Sequence, residues 1–99
     1  MRKYTMFIGL NDKDSKMQEI TTIDAYKMIM RIVKDCTIQE SKGCYTHKDG
    51  SVTMETSLIV TIFDFESKIK IQPIIEELKK ILNQEAIALV TEEVNSQLL

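Results

Sequence analysis

The chain contains no tryptophan, one proline, one histidine, two cysteines and three glycines in 99 residues. Each scarcity removes a class of chemistry. With His47 as the lone imidazole and Cys36 and Cys44 as isolated thiols, no set of soft or imidazole ligands at short spacing exists to hold a transition metal. The lone histidine also leaves no Ser/His/Asp or Cys/His relay, and no serine or cysteine stands in an elbow context, so acyl transfer is disfavoured. Gly9, Gly43 and Gly50 lie far apart and none opens a helix, which removes the usual phosphate-cradling loop. Neither a cofactor nor a metal is implied. Two cysteines are too few for a disulfide framework, and both are expected as half-buried thiols, one at a helix end and one in a strand.

Long apolar runs are missing too. The longest, Leu58 to Phe63, is strand-like and interrupted by Thr61, far short of the ~20 residues a membrane-spanning helix needs. Met1-Arg2-Lys3-Tyr4 runs straight into a strand pattern rather than into a secretion signal, so a cytoplasmic protein is expected. Thirteen basic against fifteen acidic residues give a net charge of −2, without the positive field that drives general nucleic-acid binding.

What is present is a 43% apolar complement, enough for one core, so residues 1–99 are expected to form one domain ending in a weakly ordered tail at 92–99. The strongest local signal is a hairpin. Lys48-Asp49-Gly50 supplies a tight turn, and the flanks (Tyr45, Thr46, then Val52, Thr53, Thr56, Ile59 to Phe63) favour extended chain. Before it, Lys3 to Leu10 alternates as a strand with Tyr4, Met6, Ile8 and Leu10 on one face. The polar run from Asn11 to Lys16 reads as an exposed loop. Thr21 or Thr22 caps a helix over about 22–35, with Ile23, Tyr26, Ile29, Met30 and Val33 at helical spacing. The polar segment 37–47 reads as an edge strand. Pro73 falls near the start of a second helix over about 71–83, where its missing N–H costs little. Asn83-Gln84-Glu85 then turns the chain into a short strand over 86–90.

The order β-α-β-β-α-β with right-handed crossovers predicts an α+β, ferredoxin-like sandwich: a four-stranded antiparallel sheet with two helices on one face. The two-sided apolar patterns of the first and third strands place them in the centre. RNA-binding versions of this fold stack bases on central-strand aromatics, but here Thr53, Met54, Glu55, Thr56 and Ser57 occupy those places. Asp12 and Asp14 argue against a phosphate cradle after the first strand, and the loop lacks the glycine and the further ligands of an EF-hand.

Three segments together resemble a known family: Phe7-Ile8-Gly9-Leu10, the hairpin from Gly43-Cys44-Tyr45 through Asp49-Gly50 to Glu55-Thr56-Ser57, and Asn83-Gln84-Glu85-Ala86-Ile87. They are similar to small bacterial and phage-encoded proteins of unknown function with a ferredoxin-like fold, some of them lipoproteins, which often carry tryptophan where Tyr45 stands. The resemblance implies Glu55 and Gln84 in matching positions and, in a phage setting, an accessory or anti-defence role. Read from the residues, the readiness of such domains to pair through sheet faces or edge strands and the mostly polar open face with Thr53, Glu55 and Ser57 point to a non-catalytic, homo-oligomeric binding protein. It would take a small polar ligand or a host protein, with Tyr45, Thr53, Glu55, Ser57 and Gln84 at the site. The alternative is a small dimeric α+β barrel-type enzyme using His47, Glu55 and Tyr45 as acid–base groups in an interfacial cavity. A third reading is a protein-partner inhibitor that uses the polar second strand or the loop at 11–16.

Overall fold

In the computed structural model, which describes residues 1–99, the elements follow in the expected order. They are β1 (Arg2–Gly9), α1 (Thr22–Ile32), β2 (Thr37–Thr46), β3 (Val52–Asp64), α2 (Ile71–Ile81) and β4 (Ala88–Glu93). The sheet order is β2-β3-β1-β4 with every neighbouring pair antiparallel. This is the ferredoxin-like α+β arrangement, with β1 and β3 central and polar β2 at an edge.

Strand alternation decides the two faces. Tyr4, Met6 and Ile8 of β1, with Leu58, Val60 and Ile62 of β3, turn inward and are at most 3% exposed. Against them pack Ala25, Ile29 and Val33 from the α1 region and Ile75, Leu78 and Leu82 from the α2 region. The other face of the sheet carries no helix. Along it the register sets Thr5 opposite Thr61, Phe7 opposite Ile59 and Gly9 opposite Ser57.

Helix α1 starts where expected: the Thr21 hydroxyl accepts the Asp24 backbone N–H at 3.1 Å, satisfying one of the free donors of the first turn. It stops at Ile32, about three residues before the expected end, because Val33 is extended and buried and the chain must reach Thr37, which pairs with Thr61. In α2, Pro73 occupies the third helical position, inside the first turn where no N–H has an intrahelical partner. The last strand departs from expectation. It is not residues 86–90 but 88–93, so the stretch from Thr91 onward is not simply a tail. Thr91, Glu92 and Glu93 pair with Tyr4, Lys3 and Arg2, and the Arg2 Nε donates to Glu93 at 3.1 Å.

Asp64, the last residue of β3, faces the core side and is 3% exposed. Its carboxylate accepts the backbone N–H groups of Lys68 at 3.0 Å and Ile69 at 3.1 Å. A buried carboxyl is tolerated here because each oxygen has a partner, and in return it fixes the connection into α2.

Candidate functional site

The end of α2 aims two side chains at the loop after β1. Asn83 sits in the left-handed region at φ 48°. Its N–H donates to the Lys80 carbonyl at 3.4 Å, and the Gln84 N–H donates to the Lys79 carbonyl at 2.9 Å. This pair of bonds is a Schellman motif with asparagine where glycine is usual. The turn sends the Asn83 amide to Asp12 at 2.7 Å and Asp14 at 2.9 Å, and the Gln84 amide to the Asn11 carbonyl at 2.8 Å. Asp12 also accepts the N–H groups of Asp14 and Ser15. Its carboxyl consequently lies below the usual aspartate range, with the Asn83 bond the largest cause and those two amides next. The loop expected to be merely solvated is instead folded on itself and tied to the α2–β4 turn, because Asp12 satisfies amides that a loop cannot satisfy alone.

Across from this loop, Glu55 of β3 reaches over β1, and Glu55 Oε2 accepts the Asn11 backbone N–H at 3.0 Å. Tyr45 of β2 lines the same cleft as this carboxylate. Hydrogen bonding to Glu55 is the largest cause raising the Tyr45 phenol above its ordinary value, followed by burial and then the Glu55 charge. One glycine, Gly9, makes the Glu55 approach possible, and a second, Gly43, stands beside Tyr45. Gly43 is paired opposite Glu55, and a Cβ there would stand 3.5 Å from the Tyr45 hydroxyl oxygen and 3.7 Å from its ring. Gly9 lies beneath the Glu55 carboxylate, whose atoms are the nearest to any Cβ built at that position.

These residues bound an open cleft of about 620 Å³ at one end of the uncovered sheet face, a size that suits a small organic ligand. Phe7, Ala86 and Ala88 give it apolar surface, while Lys13, Lys16 and Glu85 stand at its rim. His47 Nε2 and Thr53 Oγ1 are 2.7 Å apart on its β-hairpin side. Of the residues expected at a site, Tyr45, Thr53, Glu55, Gln84 and His47 all line the cleft. Ser57 does not. It is 8% exposed, in the row Ser41–Ser57–Gly9, two pairs along the ladder from Glu55. Glu55 is tied to the loop after β1, since Asn11 donates to it. Phe7 and Gly9 were not expected at a site, and Asn11, Lys13 and Lys16 were expected there only as part of a partner-binding loop. The available signal was a glycine within β2 and another at the end of β1, which marks a close approach by another group.

No protein-family model matches the chain, and no curated protein does. Among solved structures, the chain is similar to a phage SAM lyase in complex with S-methyl-5'-thioadenosine, at 26% identity and TM-score 0.72, over 93% of this chain and 80% of that one. The same holds for a phage SAM lyase in the apo state, at 25% identity and TM-score 0.68, over 92% of this chain and 78% of that one. A variant of CutA1 from Pyrococcus horikoshii aligns over 98% of this chain at 14% identity, with a TM-score of 0.47.

Proposed function

We propose that this chain binds S-adenosylmethionine in the cleft at Glu55 and cleaves it as a lyase, releasing S-methyl-5'-thioadenosine. The observation that carries this reading is the likeness, over 93% of the chain, to a phage lyase holding that thioether. The cleft gives it a place. Its volume of about 620 Å³ accommodates a nucleoside with a short chain. The exposed Phe7 ring offers a stacking surface for a base, Glu55 offers carboxylate oxygens to hydroxyl or amino groups, and Lys13 offers a cation to a carboxylate.

The chemistry needs no cofactor. The bond between sulfur and the γ-carbon of the amino-acid arm breaks, and its electron pair stays on sulfur, turning the sulfonium into a neutral thioether. The α-carboxylate of the same arm forms the new C–O bond at the γ-carbon and closes a five-membered lactone. No proton is transferred, which suits a site whose carboxylate already accepts the Asn11 backbone N–H. The work left to the protein is holding the carboxylate in line with the breaking bond and limiting water, because the reaction neutralises two charges.

Limiting water in an open cleft calls for a cover, and a homo-oligomer provides one. The helix-free sheet face exposes Phe7, Phe63 and Val90 at 41–44%, and a second copy laid on it would close the cleft. Incubating the purified protein with S-adenosylmethionine and resolving the products by liquid chromatography tests the activity. S-methyl-5'-thioadenosine is expected to accumulate over many turnovers, and intact substrate with folded protein would sink the reading. Calorimetric binding of S-methyl-5'-thioadenosine without turnover would instead support the non-catalytic, small-ligand protein expected from sequence.

A further inference from the structure

Gly9 lies in the central strand β1, paired with Ser57. Its backbone is not in the left-handed region, so strand geometry alone does not call for glycine here, and an alanine would normally favour the extended chain. What excludes a side chain is one contact. The three atoms nearest to a Cβ at Gly9 all belong to the Glu55 carboxyl group, with Cδ at 2.7 Å and Oε2 at 2.9 Å. Oε2 is also the atom that accepts the Asn11 N–H at 3.0 Å. A methyl group at position 9 therefore occupies the place of the carboxylate itself. Since the obstructing atoms are the far end of a flexible side chain, the fold can yield by swinging Glu55 away. The cost then falls on the site rather than on the core.

We propose that Gly9 is a positioning residue for Glu55: its missing side chain is the seat that holds the carboxylate where it accepts the Asn11 amide. The role as it bears on catalysis rests on the lyase reading above, while the positioning itself does not. Gly43 provides the comparison. A Cβ there meets the Ser57 hydroxyl at 3.0 Å and the Tyr45 ring at 3.7 Å, contacts that a turn of the serine hydroxyl and a small ring shift relieve.

The test uses Gly9→Ala, Gly43→Ala, Glu55→Asp and the double variant Gly9→Ala/Glu55→Asp. Displacing a positioning carboxylate by an ångström or more is expected to lower kcat for S-adenosylmethionine cleavage by about 10²-fold. Gly9→Ala is expected to do so while keeping a cooperative melt, and Gly43→Ala should lose less. Shortening residue 55 by one methylene makes room for the methyl group, so the double variant should exceed Gly9→Ala in activity although Glu55→Asp alone is impaired. A readout independent of turnover is the Tyr45 titration, followed by nuclear magnetic resonance of ring-labelled tyrosine. Gly9→Ala should bring it down toward the ordinary value, because the main cause of its rise is the Glu55 hydrogen bond. If Gly9→Ala does not fold, the melting temperature of the double variant decides, and no recovery there overturns the proposal. An unchanged Tyr45 titration in folded Gly9→Ala overturns it as well. Absence of lyase activity in the parent protein with the titration shift present would reject the lyase reading and leave the seat at Gly9 standing.

Discussion

Tyr45 and Glu55 form a pair whose coupling has a pH signature. Because the folded protein raises the Tyr45 pKa above the 10.0 of a free phenol, its contribution to stability is fully present below about pH 10 and is lost as pH rises through the higher folded value. Tyr45→Phe should therefore flatten the alkaline limb of the melting temperature against pH. The effect is expected to be small, since the residue is 50% exposed and solvent screens the pair. Asp12 works in the opposite sense: its folded pKa is depressed below 3.8, so its contribution is present above that value and is lost as pH falls through the lower folded one. Asn83→Ala removes the largest cause and should move the Asp12 carboxyl back up in a carbon-13 titration. For catalysis, Glu55→Gln is expected to cut kcat/KM by about 10²-fold or more, in line with the loss of a pre-organised polar contact, measured by product chromatography. Asp64→Ala leaves the Lys68 and Ile69 N–H groups without their acceptor. It should lower unfolding stability by about 2 kcal/mol in urea titrations.

Among the elements, those whose ends are set by local chemistry were legible in sequence. The hairpin is one: Gly50 takes φ 87° with open space around it, and the Asp49 carboxylate accepts both the N–H and the hydroxyl of Ser51. Gly50→Ala is expected to cost about 1 kcal/mol from backbone conformation alone, read as a shift of the urea midpoint at unchanged slope. This differs in kind from Gly9, where the backbone is ordinary and the contact decides. The end of α1 and the span of β4 were less legible because both depend on partners distant in sequence. Helix propensity runs on past Ile32, but burial of Val33 and the pairing of Thr37 with Thr61 stop it. In β4 the polar Thr91, Glu92 and Glu93 look like a tail until Arg2, Lys3 and Tyr4 are placed beside them. The turn after α2 was legible at Asn83-Gln84-Glu85, but its Schellman geometry was not, since an asparagine replaces the glycine that would have announced it.

For the molecule as a whole, the uncovered sheet face and the cleft at its end predict self-association. Light scattering on a sizing column should give a multiple of the 11.4 kDa chain mass. Val90→Glu, which puts a charge on that face away from the cleft lining, should shift the protein toward monomer and reduce activity with it. A strict monomer that retains full activity would remove the oligomer from the proposal. The alternating apolar strands and two amphipathic helices determined the β-α-β-β-α-β order, the central places of β1 and β3, and the glycine turn. Periodicity and turn chemistry are local, and they act before any long-range contact forms. Tyr45, Glu55 and Gln84 were also legible as polar groups on the right elements. Only tertiary structure decided that they meet. The β1–β3 register lays Glu55 over Gly9, the β2–β3 register sets Gly43 opposite Glu55, and the α2 cap carries Gln84 to Asn11. Those meetings depend on side chains leaning diagonally across strands and on distant backbone amides, distances that no pattern along one dimension contains.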